Sequence, residues 1–466
     1  QWLVWDCRWY DMFYRTQKRT LPFITHTTAG ALDKNSPQQE TELRKYDILD
    51  RPIDILNFDG TLHTTWYGFD KDQNNRMRLC TTVTDENRNK TDILKDTQGN
   101  IIQTRKYNDK EQSAPVCYTY NETGELIRTE DADGYVTTCQ YDLSGNCIER
   151  NHPDGGRTQW LYNNAGLPAA KVTAQTRTTH DSILYDYCYD RLQRIRYPYH
   201  PENNVTYRYK DGKLVFRSDG TGMEIFGYDD SDNVNCSHRR IIVPSETNAY
   251  RFTTKHHYDS SGRIRSIVYP DGDSVIYNYQ WTGELKSILH QPLQGRTDTL
   301  LKHISYNERG QEVKRIYGNG VETEYQYDTK NGRLTRIKTY TPQRMLQDLN
   351  YRYDGAGNII QAEQLADESS DCMPFSNEYG YDNMDRLVSI KPEYGSLHEN
   401  FFAEYSPAGR AGYDFCSHIN GDREVIYGYD DNRRTHQPRV FFNNLTKTAV
   451  GAFWDENGNL AQLLNR

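Results

Sequence analysis

The most regular feature of the chain is an alternation of period two that ends repeatedly at a Tyr. Val321, Thr323, Tyr325 and Tyr327 share one parity, and the same spacing leads to Tyr279. A period of two places alternate side chains on one face of an extended segment, so it predicts strands with one packed face. The chain is therefore expected to be a series of short strands.

Two kinds of turn signal separate these strands. The first is the motif Y-D-x-x-G-x-ψ, in which ψ is usually aliphatic, as in Tyr258-Asp259-Ser260-Ser261-Gly262-Arg263-Ile264. The dipeptide Tyr-Asp occurs 12 times, several times the number that chance predicts. The second is Asp-Gly or Asn-Gly midway between the motifs, at Asp59, Asp133, Asp154, Asp219, Asp271 and Asn319. The unit is thus strand, turn, strand, turn, which is a chain of hairpins.

Each motif residue has a structural role in this interpretation. The Tyr ring packs on one face of the sheet, against the next unit, and the Asp accepts hydrogen bonds from N–H groups two residues on. The Gly provides the positive φ that closes the turn, which predicts positive φ at Gly145, Gly262 and Gly357. The Arg or Asn after the Gly is expected to point into solvent or into a cross-strand pair. The same argument excludes a Tyr-Asp pair as an acid–base dyad, because the pair recurs at every turn.

Reading the motif along the chain gives about 18 units from residue 46 onward, including degenerate units at 69, 95, 209 and 429. We therefore divide the chain into residues 1–45, an N-terminal aromatic segment and linker, and residues 46–466, the repeat region. Trp2 to Tyr14 is predicted to be an aromatic plug or a broken strand pair, and Thr25 to Glu42 a loop. The long gaps before units 189, 258, 306 and 381 are predicted to be exposed loops.

Composition agrees with a sheet that has a thin packed layer. Hydrophobic residues make up 35% of the 466 residues, whereas globular domains usually have about 45–50%. Aromatic residues reach 12% because there are 37 Tyr, which excludes plain disorder. The net charge of −9 comes with no basic run, so nucleic acid is not expected as a partner. The nine Cys lack C-x-x-C spacing, which favours reduced thiols.

The motif Y-D-x-x-G-R-[LI], with P-D-G between copies, resembles the Rhs/YD repeat over about residues 46–460. This family includes bacterial Rhs proteins, the B and C components of Tc toxin complexes and the YD shell of teneurins. The stretches from Lys45 to Gly60 and from Asp96 to Gln103 look most like the bacterial Tc/SpvB-associated branch. The resemblance implies an all-β fold, in which an antiparallel ribbon spirals into part of a hollow shell around a toxic C-terminal domain. We see no self-cleaving core segment and no toxin domain in the sequence, so neither activity is assigned to a residue.

A search for catalytic and metal-binding motifs assigns no site. H-E-x-x-H, P-loop, G-x-S-x-G and G-x-G-x-x-G patterns do not occur. The sequences at Asp131–Gly134 and Asp229–Asn233 resemble calcium loops but lack the bidentate Glu, so turn chemistry is favoured. His256 and His257 are neighbours on a predicted strand and point to opposite faces. Gly318-Asn319-Gly320 is predicted to be a hairpin turn. We therefore predict no catalytic residue, cofactor or metal ligand, and no enzymatic activity.

Two functions remain open from the sequence. The first is a shell segment of an Rhs/Tc-type polymorphic toxin that folds in a bacterial cytoplasm and is then secreted or delivered. Its partners are expected to be the rest of the parent protein or a partner shell subunit, with a target-cell surface or a translocation component as a further partner. The alternative is an adhesion or recognition module of the teneurin or wall-associated type. A ribbon of 36 strands would run roughly 170 Å, which is about one turn of a tube about 50 Å across, so the fragment alone is expected to be an open shell.

Overall fold

In the computed structural model the chain is one antiparallel ribbon, as the sequence predicts. Strands make up 60% of the protein and helices 2%. The structure describes residues 2–4, 7–25, 41–108, 113–243, 246, 248–366, 370, 372–394, 400–416, 423–429, 436–443 and 448–465. The predicted loop from Thr25 to Glu42 lies mostly outside these residues. No helix in the described part is long and apolar enough to cross a membrane.

The strands pair in the order in which they occur in the sequence. Residues 2–4 pair with residues 23–25 in a separate two-stranded sheet, and the other described strands form a ribbon of 38. Along the described ribbon, the first strand (residues 8–10) and the last (residues 460–465) each have one ribbon neighbour, and every strand between them has two. The ribbon is therefore open at both ends.

The first 25 strands have the following bounds: β1 Trp2–Val4, β2 Arg8–Tyr10, β3 Thr16–Thr20, β4 Phe23–Thr25, β5 Thr41–Tyr46, β6 Pro52–Leu56, β7 Leu62–Lys71, β8 Met77–Thr84, β9 Lys90–Lys95, β10 Ile101–Tyr107, β11 Ser113–Tyr120, β12 Leu126–Glu130, β13 Val136–Tyr141, β14 Cys147–His152, β15 Gly156–Tyr162, β16 Pro168–Val172, β17 Ile183–Cys188, β18 Arg191–Arg196, β19 Val205–Lys210, β20 Lys213–Asp219, β21 Gly222–Tyr228, β22 Val234–Ile242, β23 Ala249–Tyr258, β24 Ile264–Val268 and β25 Ser274–Tyr279.

The remaining strands are β26 Leu285–Gln291, β27 Asp298–Tyr306, β28 Glu312–Tyr317, β29 Glu322–Tyr327, β30 Leu334–Tyr340, β31 Met345–Tyr353, β32 Ile359–Gln364, β33 Phe375–Tyr381, β34 Leu387–Tyr394, β35 Phe401–Tyr405, β36 Ala411–Cys416, β37 Arg423–Gly428, β38 Val440–Asn443, β39 Thr448–Trp454 and β40 Leu460–Asn465. One α-helix, α1 (Ala174–Thr178), and one short 3₁₀ helix (Pro201–Asn203) complete the described elements.

The predicted turn chemistry is confirmed in detail at the motif of Asp259. Its Oδ1 accepts hydrogen bonds from the N–H groups of Ser261 at 2.9 Å and Arg263 at 3.0 Å. Gly262 has φ +75°, and Gly145 and Gly357 have φ +80° and +106°. The register shifts by one residue just before the turn, which is the bulge that accompanies a left-handed residue in such hairpins.

The motif Tyr joins its unit to the preceding unit rather than to the next one. The hydroxyl of Tyr279 donates to the carbonyl of Ile264 at 2.8 Å, which is the ψ residue of the motif before it. The same bond, from a motif Tyr to the ψ carbonyl of the preceding unit, recurs along the ribbon at Tyr120, Tyr141, Tyr162, Tyr327, Tyr353, Tyr381 and Tyr405. Each ring therefore ties two hairpins together beyond their backbone ladder.

The Arg after the motif Gly forms a cross-strand pair rather than extending into solvent, which is one of the two positions that the sequence predicts for it. Arg263 turns back so that its Nε donates to Asp259 Oδ2 at 2.8 Å, and its guanidinium lies 4.4 Å from the centre of the Tyr279 ring. Two effects favour this position over free solvent: the aliphatic part of the Arg side chain is removed from water, and the Tyr ring attracts the guanidinium electrostatically. Arg386 makes the same two contacts, with Asp382 and Tyr405.

Two boundaries differ from the predicted units. The unit placed at residue 69 has its turn at Asp72 to Arg76, because Asp72 Oδ1 accepts from the N–H groups of Asn74 and Arg76. A similar turn lies at Asp11 to Arg15, where Tyr14 takes the position of the Gly with φ +61°. The division of the chain at residue 45 stays a prediction, and this N-terminal turn lies before it.

The ribbon winds back on itself after 23 strands. Turns between β6 and β7, β12 and β13, and β16 and β17 are hydrogen-bonded to turns between β29 and β30, β35 and β36, and β39 and β40. At about 4.8 Å per strand, 23 strands span roughly 110 Å, which corresponds to a circle about 35 Å across. The 38 strands make about one and two-thirds turns, so the expected single turn of a wider tube is wrong.

Few side chains are fully buried, as the composition predicts. Described hydrophobic residues with little exposure are mainly small, such as Cys80, Ala362 and Ala452, and among the largest side chains only Leu94 is completely enclosed. Alternation is visible in some strands, for example in β29, where Thr323 is buried and Gln326 is exposed. Most stability must therefore come from the ladder and from contacts between turns.

The turn assignment predicts a specific effect of substituting Gly262. A Cβ at this position would meet no atom within 4 Å, so any cost of substitution is backbone strain alone. We expect Gly262→Val to destabilise the protein by about 1–3 kcal/mol in thermal and urea unfolding. Gly262→Asn is the matched control and should cost much less, because Asn tolerates the left-handed region. Equal unfolding curves for wild type and Gly262→Val would contradict the turn assignment.

Candidate functional site at the seam between two circuits

The ribbon has two unlike edges, and they meet where one circuit lies on the other. We call the turns that follow the Tyr-Asp motif the Tyr-Asp edge and the alternate turns, such as residues 57–61 and 131–135, the Asp-Gly edge. The first circuit is β2 to β25 without β4, and the second circuit is β26 to β40. The Asp-Gly edge of the first circuit contacts the Tyr-Asp edge of the second, and we call this contact the seam.

Five side-chain contacts define the seam. In each of them a turn or short helix of the first circuit contacts a turn or connecting segment of the second circuit that lies 23 strands further on. The pairs are Asp59 with Asn331 at 3.2 Å, Asn87 with Asp354 at 2.9 Å, Asp133 with Ser406 at 2.6 Å, Asp154 with His436 at 2.6 Å and Gln175 with Asn457 at 3.0 Å. The seam thus depends on oxygen and nitrogen atoms of polar side chains, not on an apolar core.

Asp133 forms the most enclosed ion pair of the seam. Its side chain is 6% exposed and accepts hydrogen bonds from the Ser406 hydroxyl at 2.6 Å, the Arg410 Nε at 3.0 Å and the Ala408 N–H at 3.3 Å. Arg410 also donates to the Tyr135 hydroxyl at 3.1 Å and lies over the Tyr135 ring. These partners satisfy the buried carboxylate from three directions, which is the condition for burying a charge.

Backbone also approaches closely at the seam, and this explains why certain turn positions lack a side chain. A Cβ on Gly355 would lie 2.9 Å from the carbonyl oxygen of Glu86, and one on Gly458 would lie 3.0 Å from that of Asp154. The N–H of Ala356 donates to Asn87 Oδ1 at 3.2 Å. Small residues at these turns let the two edges come within hydrogen-bonding distance.

Helix α1 lies in a segment predicted to be an exposed loop, and it takes part in the seam instead. Gln175 at its start accepts from the Glu456 N–H at 3.0 Å, and the Gln175 N–H donates to Asn457 Oδ1 at the same distance. Thr173 caps the helix by accepting from the Thr176 N–H. The insertion before unit 189 therefore supplies the last contact between the circuits.

The candidate calcium loops are turns, as predicted. Asp131 Oδ1 accepts from the N–H groups of Asp133 at 2.9 Å and Tyr135 at 2.8 Å. Asp229 Oδ1 accepts from Ser231 and Asn233 in the same way. Both carboxylates therefore cap their own turns.

The other candidates from the sequence are also structural. His256 and His257 lie on adjacent positions of β23 and face opposite sides of the sheet, because they pair with Ile267 and Ser266. Gly318 is in a hairpin turn, where a Cβ would clash with the Thr299 carbonyl at 1.4 Å. These residues remain without an assigned ligand or reaction.

One cluster of potential metal ligands was not predicted, because its members come from three strands. Asp70, Cys80 and Asp92 bring ligand atoms within 4.8 Å of one another. Arg105 forms ion pairs with both carboxylates, and Thr82 donates to Asp92 Oδ1 at 2.6 Å. A cationic guanidinium thus already occupies the carboxylates that a metal would need.

The remaining groups of this cluster favour their neutral forms. Burial, together with the hydrogen bond to Asp92, raises the pKa of Tyr107 to about 12. Burial also raises the pKa of the Cys80 thiol, so it stays protonated at neutral pH. The cluster is best described as a polar network that holds β7 to β10 together.

A Cys and a Ser each lie beside a His two positions away on the same strand. Cys236 Sγ is 3.4 Å from His238 Nε2, and the Ser305 hydroxyl is 3.1 Å from His303 Nε2. The other ring nitrogen of His238 contacts the Thr253 hydroxyl at 2.9 Å, where a catalytic triad would place a carboxylate. Their proximity follows from the alternation of a strand, since residues i and i+2 share a face.

The seam geometry predicts that Asp133 contributes far more to the stability of the fold than a similar residue on a free edge. We expect Asp133→Ala to destabilise the protein by about 3 kcal/mol, because it leaves the Arg410 guanidinium without its buried partner. Asp271→Ala is the matched control, since exposed Asp271 caps its own turn through the Asp273 N–H but contacts no second circuit. Urea unfolding of both variants checks this, and equal midpoints would contradict the assigned seam.

Comparison with known proteins adds a family model and several relatives. The RHS Repeat model matches residues 120–157. Toxin subunit YenC2 of Yersinia entomophaga is 30% identical over 177 residues, which is 36% of this chain and 17% of the relative. Toxin subunit YenC1 of the same organism is 26% identical over 244 residues, which is 46% of this chain and 25% of the relative. The chain is also 25% identical to double-stranded DNA deaminase toxin A of Burkholderia cenocepacia over 369 residues, 74% of this chain and 22% of that protein.

Solved structures share the fold over nearly the whole chain. The crystal structure of TcdB2-TccC3-TEV superposes with a TM-score of 0.83 at 18% identity, covering 99% of this chain and 26% of that chain. The Photorhabdus luminescens Tc holotoxin pore gives a TM-score of 0.76 at 18% identity, covering 91% of this chain and 24% of that chain. At these identities the likeness concerns the fold alone.

The chain spans a quarter or less of the length of the curated relatives that it matches. The repeat model, the toxin-subunit relatives and the shell fold agree with the turn motif and the winding of the ribbon. This chain is therefore similar to the Rhs/Tc-type YD-repeat proteins in its repeat motif and in its β-shell fold.

Proposed function

We propose that this chain is a segment of the hollow shell of an Rhs/Tc-type polymorphic toxin. In this proposal the shell encapsulates and delivers a toxic C-terminal domain that is not in this chain. The observation that carries the proposal is the seam, because a ribbon that bonds to itself every 23 strands encloses a space. The role is structural and needs no catalytic residue, cofactor or metal.

The two free edges of the ribbon support a partner that continues the wall. The Tyr-Asp edge of the first circuit, up to the turn at residues 280–284, has no second circuit against it in the described structure. Exposed apolar side chains lie at its turn tips, including Ile48 at 98%, Leu143 at 110% and Trp281 at 96% exposure. By contrast, the turn tips at the seam carry Asn331, Ala356 and Asn457. We therefore place the rest of the parent protein, or a partner shell subunit, against this edge with its exposed apolar tips.

The localisation follows from the same proposal. A shell that holds a toxin is made in the bacterial cytoplasm and acts after secretion or delivery. Free thiols agree with folding in a reducing compartment, since eight described Cys, among them Cys80, Cys117 and Cys139, form no disulfide. Contact with a target-cell surface or a translocation component would follow delivery.

The shell function can be tested by protection from protease. The full-length parent protein, which in this proposal carries the toxic domain as a downstream segment, should be digested with proteinase K under native conditions. We expect that downstream segment to be protected in the wild type and to become accessible in Asp133→Ala, which weakens the seam. Asp271→Ala, which alters a free turn, should keep the protection. A downstream segment that is digested equally in all three proteins would contradict encapsulation and favour an adhesion module.

The shape of the isolated chain is a second test. With about one and two-thirds turns of ribbon, we expect the 466-residue chain alone to be an open shell whose interior reaches solvent. Small-angle scattering should fit a spiral with two open ends, and a large polar tracer should enter the interior. A sealed cavity that excludes the tracer would show that the chain needs no partner to close.

A further inference from the structure

His436 lies at the seam between two carboxylates of the first circuit. Its Nδ1 is 2.6 Å from Asp154 Oδ2, and its Nε2 is 2.6 Å from Asp131 Oδ2. Its backbone N–H also donates to Asp154 Oδ1 at 2.9 Å. The two Asp residues belong to different Asp-Gly turns, so one imidazole ring joins the second circuit to two turns of the first.

This arrangement requires a positively charged ring. An ionised carboxylate only accepts hydrogen bonds, so each ring nitrogen must carry a proton to make its contact. A neutral imidazole has one N–H, and its other nitrogen would direct a lone pair at a carboxylate oxygen 2.6 Å away. The doubly protonated imidazolium is therefore the form that fits both contacts.

The surroundings of His436 are consistent with a single positive charge. Asp131 and Asp154 supply the two negative charges, while the Arg410 guanidinium is committed to Asp133 and Tyr135. The Tyr135 ring packs edge-on against His436 with centroids 5.6 Å apart.

A second His near Asp154 does not compete for the charge. His152 accepts from the N–H groups of Asp154 and Gly155 through Nδ1, and burial lowers its pKa, so it stays neutral. Burial would also lower the pKa of His436, but its hydrogen bonds to Asp154 and Asp131 outweigh burial and raise the pKa above 6.5.

We propose that His436 is a proton-dependent latch that holds the end of the second circuit on the first. The segment that it holds includes β38 to β40, which reach the first circuit again through the turn at Asp455 to Asn459. Loss of the proton removes one hydrogen bond and places a lone pair against a carboxylate. The end of the ribbon then opens more often.

The sign of the pH dependence follows from the direction of the pKa shift. A group whose pKa is raised on folding stabilises the protein fully below its unfolded pKa of 6.5, and the stabilisation is lost as pH rises through the folded pKa. The latch is therefore closed in mild acid and weakens above neutrality. The test stays above about pH 5, away from the ordinary range of carboxyl groups.

Hydrogen exchange of the full chain tests the latch. The protection of backbone amides in peptides from β38 to β40 should be compared between wild type and His436→Gln at each pH from 5.5 to 9. Comparing the two proteins at the same pH cancels the pH dependence of the intrinsic exchange rates. From the acid to the alkaline end of this range, we expect the ratio of wild-type to variant protection to fall by about tenfold for each unit by which folding raises the pKa of His436. His257→Gln, on an exposed strand position, is the control and should follow the wild type at every pH.

A second variant keeps the test decisive if His436→Gln does not fold. Asp131→Asn retains the oxygen that caps its own turn but removes the charge opposite Nε2, so it should reduce the pH dependence and lower the pKa of the His436 ring in ¹³C-histidine NMR. A His436 resonance that titrates at or below 6.5 in the wild type would overturn the proposal. So would a ratio of protection that does not change with pH.

Discussion

The contact between the two unlike edges of the ribbon is the constraint on which the shell depends. A ribbon of hairpins presents turns of one kind along one side and turns of the other kind along the opposite side. When it winds, the upper side of one circuit must meet the lower side of the next. The observed period of 23 strands is odd, which is what brings an Asp-Gly turn under a Tyr-Asp turn at each contact. With an even period, each turn of one circuit would lie opposite the gap between two turns of the next circuit.

Polar chemistry holds this seam because both edges consist of turns, whose tips expose N–H groups and carry acceptor side chains. Asp133 is the clearest case, since one buried carboxylate accepts from a hydroxyl, a guanidinium and a backbone N–H of the second circuit. Such contacts are directional, so they set the register between circuits as well as their distance. The thin packed layer along each face could not do so, because small buried residues such as Ala362 and Ala452 offer no directional group.

The same reliance on polar contacts makes the wall sensitive to its surroundings. Each motif Tyr and Arg stabilises the junction of two neighbouring hairpins within one circuit. The seam differs, because His436 bridges two carboxylates and their hydrogen bonds raise the pKa of its ring despite burial. Local opening at the end of the ribbon can therefore change while the rest of the wall stays intact, as expected for a repeat protein whose stability is a sum of neighbour contacts.

The sequence by itself determined the unit of the structure. The spacing of Tyr258, Asp259 and Gly262 was sufficient to predict an antiparallel hairpin, with the Asp259 side chain as hydrogen-bond acceptor and a positive φ at Gly262. Each of these features depends only on residues that are close in the chain. It also led correctly to turn chemistry at Asp131 and Asp229, and to the shell family. For the Arg at the end of the motif the sequence left two positions open, solvent or a cross-strand pair, and a ring from the next unit decided for the pair.

Only the tertiary structure decided how the units assemble. The number of strands in a circuit depends on the accumulated twist and curvature of many hairpins, which no local pattern encodes, so the estimate of a single wide turn was wrong. For the same reason the partners of Asp133, Asp154 and Gln175 lie 273 to 282 residues away and carry no signal at their own positions. In the sequence His436 is an isolated His that belongs to no motif. It becomes a candidate latch because the winding of the ribbon brings Asp154 and Asp131 within hydrogen-bonding distance of its two ring nitrogens.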